Sequence, residues 1–156
     1  MRMLSLMCLA LAFAACDNDV KGTGTYTSNF VPSAIVDAQL FPLTVPIFPQ
    51  APNVVCPAGR AFNTAFDFVI TSARPVSLDS ARVQMIDGTS LGPTLTFPPP
   101  EINRLFGSTI VIGTRTFPFR PAFGCVPVLP TAIAVEAVLI EQSGATRTVR
   151  ARADVK

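Results

Sequence analysis

The sequence predicts an all-β domain built as a two-sheet antiparallel β-sandwich, and three observations predict it. Apolar and polar residues alternate over short runs, at the period of two that a half-buried strand requires. Turn signals rich in Gly, Pro, Asp and Ser separate those runs at irregular intervals of about 8–20 residues. Only one short stretch, near 99–106, carries the marks of a helix. Roughly six to eight short strands then fall within residues 30–156, the pattern of a sandwich. The chain has 156 residues, enough for one ordinary domain and too few for two with full-sized cores. Apolar residues make up 49% and charged residues 14%, a composition that can bury a core.

The N-terminus precedes that domain and has a build of its own. Arg2 stands before an apolar run from Leu4 to Ala15, and small residues close the run. This is the three-part plan of a secretory signal, and the run falls short of the roughly 20 residues a bilayer span needs. Cys16 follows directly. Phe13-Ala14-Ala15-Cys16 resembles the lipobox of bacterial lipoproteins, with Phe13 where the family prefers Leu. The resemblance implies a signal peptide over 1–15, a diacylglycerol on the Cys16 sulfur and cleavage before Cys16. Two or three acyl chains anchor stably where one is marginal. Asp17 after the cysteine resembles the signal that holds such proteins in the inner membrane of enteric bacteria. Residues 16–29 are polar, with Gly22 and Gly24, and read as a flexible tether.

The first part of the domain, Val36 to Pro57, carries Pro42, Pro46, Pro49, Pro52 and Pro57. That spacing suits an edge strand that leaves one sheet and joins the other. In Ala65–Thr71, Phe66, Phe68 and Ile70 share one face. In Ala81–Met85, Val83 and Met85 oppose Arg82 and Gln84, and Asp87-Gly88 then signals a turn. Thr94–Phe97 is a short strand stopped by Pro98-Pro99-Pro100. A one- or two-turn helix follows, opened by proline, with Glu101 in its first turn and Gly107 at its end. The expected role is a connector rather than a core element. Thr109–Ile112 is β-branched, and Arg115–Arg120 continues it past Gly113, with Pro118 confining that part to an edge or bulge.

The C-terminus predicts a hairpin. Ala132–Glu141 and Thr146–Val155 flank Gln142-Ser143-Gly144-Ala145, a type I turn with Gly144 left-handed. That turn pairs Glu141 with Ala145. Glu136 then faces Arg150, Ala134 faces Arg152, and Val149, Ala151 and Ala153 point inward. A slip of one residue would bury the arginines instead.

Export places the mature chain in an oxidising space. With Cys8 removed and Cys16 acylated, Cys56 and Cys125 are predicted to pair. A redox pair or a two-thiolate metal site would need neighbours absent here: the chain has no His and no C-x-x-C. The topology resembles an immunoglobulin-like sandwich only loosely, because Trp is absent and the cysteines precede the strands instead of sitting within them.

The residues that carry chemistry are few. Without His there is no common general base and no partner for a serine nucleophile, and the sequence has no Ser-x-x-Lys. The ten acidic residues are scattered, and no spacing favours a catalytic pair. No phosphate-cradling glycine loop is present, so no cofactor and no metal is expected. The net charge of +2 is too small to point to nucleic acid. Arginine supplies ten of the twelve positive charges, and Arg147, Arg150 and Arg152 cluster on the last strand. They read either as charges keeping an exposed strand soluble or as a strip for an anionic surface. Phe41, Phe48, Phe62, Phe66, Phe68, Phe97, Phe106, Phe117, Phe119 and Phe123 read as a Trp-free core or as the lining of a ligand cavity.

The expected function is a lipid-anchored lipoprotein of the bacterial cell envelope, facing the periplasm or the exterior, with a non-catalytic β-sandwich acting as a binding or structural module. Its expected partners are the membrane, through Cys16, and an envelope protein. The alternative is a carrier of a small apolar ligand held between the sheets.

Overall fold

In the computed structural model, residues 35–50, 56–57 and 59–156 are described. Ten strands and one helix follow in order: β1 (Val36–Phe41), β2 (Thr44–Val45), β3 (Ile47–Pro49), β4 (Arg60–Thr64), β5 (Phe66–Asp87), β6 (Ser90–Phe97), α1 (Pro99–Phe106), β7 (Ile110–Phe119), β8 (Ala122–Val126), β9 (Ala132–Glu141) and β10 (Thr146–Val155). They form a seven-stranded sheet, with β1-β5-β9-β10-β2 in line and β6 and β7 also paired to β5, and a three-stranded sheet β3-β4-β8. The all-β, two-sheet architecture is the one the sequence predicts. One pair is parallel: β2 against the end of β10. The predicted signal peptide, tether and Cys16 lie outside the described residues.

The two alternating runs predicted at Ala65–Thr71 and Ala81–Met85 turn out to be one strand of 22 residues. Its first half pairs with β1 and β7, and its second half with β9 and β6. Between the halves the register against β7 shifts, from Ser72↔Gly113 to Val76↔Val111. Three residues of β5 (Ala73, Arg74, Pro75) thus oppose one of β7, and Pro75 has no N–H to give a ladder. The buried Ser72 hydroxyl holds the bend by donating to the Arg74 carbonyl at 2.6 Å. Gly113 meets the bend at φ +70°, a conformation glycine reaches without a Cβ penalty.

The bend folds the sheet over its own core. Phe119 lies opposite Phe66 on β5, and Phe97 lies opposite Ala81. On a straight strand those positions would be about 50 Å apart. Yet the Phe97 and Phe119 ring centroids are 5.2 Å apart. The two halves therefore face each other, and one cluster joins Phe68 and Ile70 of the first to Val83, Val135 and Leu139 of the second.

The proline-rich first segment behaves as predicted. It pairs with β5 as β1, with β10 as β2 and with β4 as β3. Strands β4 and β8 of the small sheet have no counterpart in the sequence reading. The sheet is held to the core by Phe62, Phe123 and Val126, and braced within itself by the Gln50 amide, which donates from the end of β3 to the Phe123 carbonyl of β8 at 3.0 Å. Cys125 lies within β8 rather than ahead of a strand, so the expected placement is corrected there.

The helix is as predicted in position, with Pro at its start and the Gly107 N–H donating to Asn103 at its end. Its role is not the expected one. Ile102 is fully buried, and the Phe106 ring meets Phe117 and Phe119 edge-on at 5.2 and 5.1 Å. The helix is a lid on the core, not merely a connector. The C-terminal hairpin has the predicted register throughout, from Thr146↔Ile140 to Asp154↔Ala132. Its turn closes by Glu141 N–H to Ala145 O at 2.8 Å, with Gly144 at φ +82°. A Cβ at Gly144 would meet nothing within 4 Å, so Gly144→Ala is penalised by backbone conformation alone. The expected loss is about 1 kcal/mol in a urea titration. An unchanged midpoint would contradict this account of the turn.

Candidate functional site: an arginine face and a cleft beside the helix

Alternation along β5, β9 and β10 sends every second side chain outward, and the register lines these up in rows across the sheet. One row is Arg82–Glu136–Arg150, and the next is Gln84–Ala134–Arg152. Arg150 takes Glu136, with Nε and Nη2 at 2.7 and 2.6 Å from the same carboxylate oxygen. Arg82 lies across from Glu136 on the other side. Among the described residues neither Arg82 nor Arg152 makes an ion pair. Three guanidinium groups therefore stand in two rows that hold one carboxylate, and Arg150 alone engages it. Asp154 closes the far end of the same face of β10. Ala134 is small, and a hollow of about 450 Å³ opens above it, walled by Arg82, Gln84, Ile86, Leu91 and Arg150.

A larger cleft, about 560 Å³, lies beside α1. Glu101, Arg104 and Leu105 form one wall, Pro118 to Ala122 form another, and Leu95 and Phe97 add apolar surface. Its charges are matched at home. Arg104 is 3.5 Å from Glu101, and Arg120 is 3.8 Å from Asp67. Arg120 also donates to the Phe66 and Phe119 carbonyls at 3.2 and 2.7 Å, which ties the β7–β8 turn to the start of β5.

A third cleft, about 310 Å³ and mainly apolar, runs along β7 beside Ile110, Ile112 and Ile140. Ile112 is 69% exposed. Arg115 guards this strand by folding back to donate to the carbonyls of Ile110, at 2.7 Å, and Ser108. A carbonyl already bonded is less available to an incoming strand.

Cys56 and Cys125 are joined in a disulfide, as predicted, across a sequence separation of 69. It ties the chain entering β4 to β8. Of the three clustered arginines, Arg150 and Arg152 share the outward face, whereas Arg147 turns to Glu141 at 3.2 Å. Among the described acidic residues, Asp67, Glu101, Glu136 and Glu141 each face an arginine instead of one another. No group of three or more His, Cys, Asp or Glu gathers among the described residues. Of the phenylalanines, Phe62, Phe66, Phe68, Phe117, Phe119 and Phe123 are buried and fill the core, while Phe41 and Phe48 are exposed. Sequence reasoning missed Arg82 as a member of the face. The alternation Arg82-Val83-Gln84-Met85 showed it pointing outward, but only the β5–β9 register places it beside Glu136.

No protein-family model matches the chain, and the comparison with curated proteins gives no match. Similar solved structures include a structural-genomics target known by X-ray crystallography, with a TM-score of 0.48 and 8% identity over 76% of this chain and 86% of that one. Another is the putative ApaA protein of Bordetella pertussis, with a TM-score of 0.42 and 15% identity over 77% of this chain and 94% of that one. The alkylpurine DNA glycosylase AlkC of Pseudomonas fluorescens matches at a TM-score of 0.33 and 14% identity, over 76% of this chain and 30% of the glycosylase.

Proposed function

We propose that this is a lipid-anchored lipoprotein of the bacterial cell envelope whose β-sandwich is a non-catalytic binding module. The observation that carries the reading is Phe13-Ala14-Ala15-Cys16 behind a charged and then apolar leader. The Cys56–Cys125 disulfide supports an oxidising compartment. The pairing of Asp67, Glu101, Glu136 and Glu141 with arginines supports a task of recognition over one of catalysis, since a general acid–base pair needs two titratable groups converging on one substrate. The carrier alternative draws no support from the core. There the phenylalanines pack on one another, with Phe66 and Phe119 stacked at 5.7 Å and Phe62 and Phe123 tilted against each other at 5.4 Å.

The test is metabolic labelling with a palmitate analogue. The wild type is expected to carry label, and Cys16→Ala is expected to carry none and to accumulate as precursor or soluble protein. An unlabelled wild type would overturn the anchor and the localisation together.

A further inference from the structure

We infer that the outward face of β5, β9 and β10 docks on the anionic headgroups of the bilayer that holds the anchor. The inference rests on the lipid-anchored reading and names the surface that meets the membrane. Charge is the first argument. Arg104, Arg120, Arg147 and Arg150 each have an acidic partner; among the other described arginines, Arg60, Arg74 and Arg115 lack one and stand apart on β4, the bend of β5 and β7, and the remaining two without one are Arg82 and Arg152. These two flank Glu136 and Ala134 in adjacent rows of one sheet, and Glu136 is already engaged by Arg150. The excess positive charge therefore has no counter-ion within the two rows, and Asp154 bounds it only at the end of β10. A guanidinium offers a planar fork that takes a phosphate through two hydrogen bonds. The row is borne on a sheet face, a broad surface that suits a layer of headgroups.

Reach is the second argument. The described chain begins at Ile35, whose carbonyl accepts the Ala73 N–H at the bend of β5. Arg82 lies nine residues further along that strand, at most about 30 Å away. The 19 residues from Cys16 to Ile35 span at most about 65 Å when extended. An anchor at Cys16 thus permits the face to lie on the same membrane, and it keeps the anionic surface continuously within reach.

The experiment uses the full acylated chain, reconstituted into vesicles of phosphatidylcholine alone and into vesicles that also contain phosphatidylglycerol. Flotation reads the anchor, and phenylglyoxal modification followed by peptide mass spectrometry reads each arginine. Arg82 and Arg152 are expected to react at least about fivefold more slowly on the anionic vesicles. Exposed Arg60, on β4, and Arg74, at the bend of β5 outside the two rows, should keep their rates. High salt should abolish the difference. In a chain with Arg82→Gln and Arg152→Gln, Arg150 should also lose protection. Flotation with equal rates on both vesicles would overturn the docking face and leave the anchor standing. Failure to float would remove the anchor, and the inference with it. Equal slowing of Arg60 and Arg74 would show nonspecific shielding and overturn it too. Protection by soluble polyglutamate but not by vesicles would assign the face to an acidic protein instead.

Discussion

Phe119→Ala is expected to lower the free energy of unfolding by about 3–5 kcal/mol, the range for deleting a buried aromatic ring. The ring is fully buried and touches four others. Phe66 and Phe68 belong to the first half of β5, Phe97 ends the strand paired to the second half, and Phe106 ends the helix. Phe119 is therefore the contact at which the folded-over sheet and its helical lid meet. Removing it leaves a cavity bordered by rigid rings on separate elements, which relax poorly into the space. Phe119→Leu keeps apolar bulk and should lose clearly less. Urea denaturation followed by far-UV circular dichroism gives both values. A loss below about 1 kcal/mol for the alanine variant would mean that the two halves are held together by something else.

Cys125→Ser should lower stability by about 4 kcal/mol, for a different physical reason. Cys125 is exposed and Cys56 only half-buried, so the substitution opens no cavity in the core. The effect comes from the unfolded chain, where the bond closes a loop of 69 residues and removes conformational entropy. Reductant should bring the wild type down to the variant's stability and leave the variant unchanged. Equal stability of the two proteins under oxidising conditions would contradict the pairing. The small sheet β3-β4-β8 should open first in the variant, because the bond joins the approach to β4 with β8 and few other elements cover them. Hydrogen exchange at Phe62 and Phe123 would read that opening.

What could be foretold from sequence followed the range of the forces involved. The C-terminal hairpin was legible to the residue because its register depends on local terms: a left-handed Gly144 and an alternation that a slip would invert. The helix was legible through its caps, yet its burial was not, since Ile102 and Phe106 find their partners on strands distant in the chain. In β5 the two alternating runs were visible, but Ser72-Ala73-Arg74-Pro75 reads as a break. The structure passes through it as a bulge, because Ser72 satisfies the local backbone and Gly113 on the neighbouring strand yields. The three-stranded sheet was illegible. Its strands have three to five residues' worth of proline-flanked sequence, and their pairing is decided by Phe62, Phe123 and the Gln50 amide, all long-range contacts. The arginine face was half legible. Arg150 and Arg152 followed from the hairpin, and Arg82 joined them only through the pairing of β5 with β9.

The proposed docking of that face rests on the proposed anchor, and the anchor is the claim on which localisation and partners depend. Its most direct test is the mass of the N-terminal peptide of the mature protein isolated from membranes. The account predicts a chain that begins at Cys16 and carries diacylglycerol on its sulfur. A mature chain with an unmodified Cys16, or one that begins elsewhere with a free N-terminus, would contradict it.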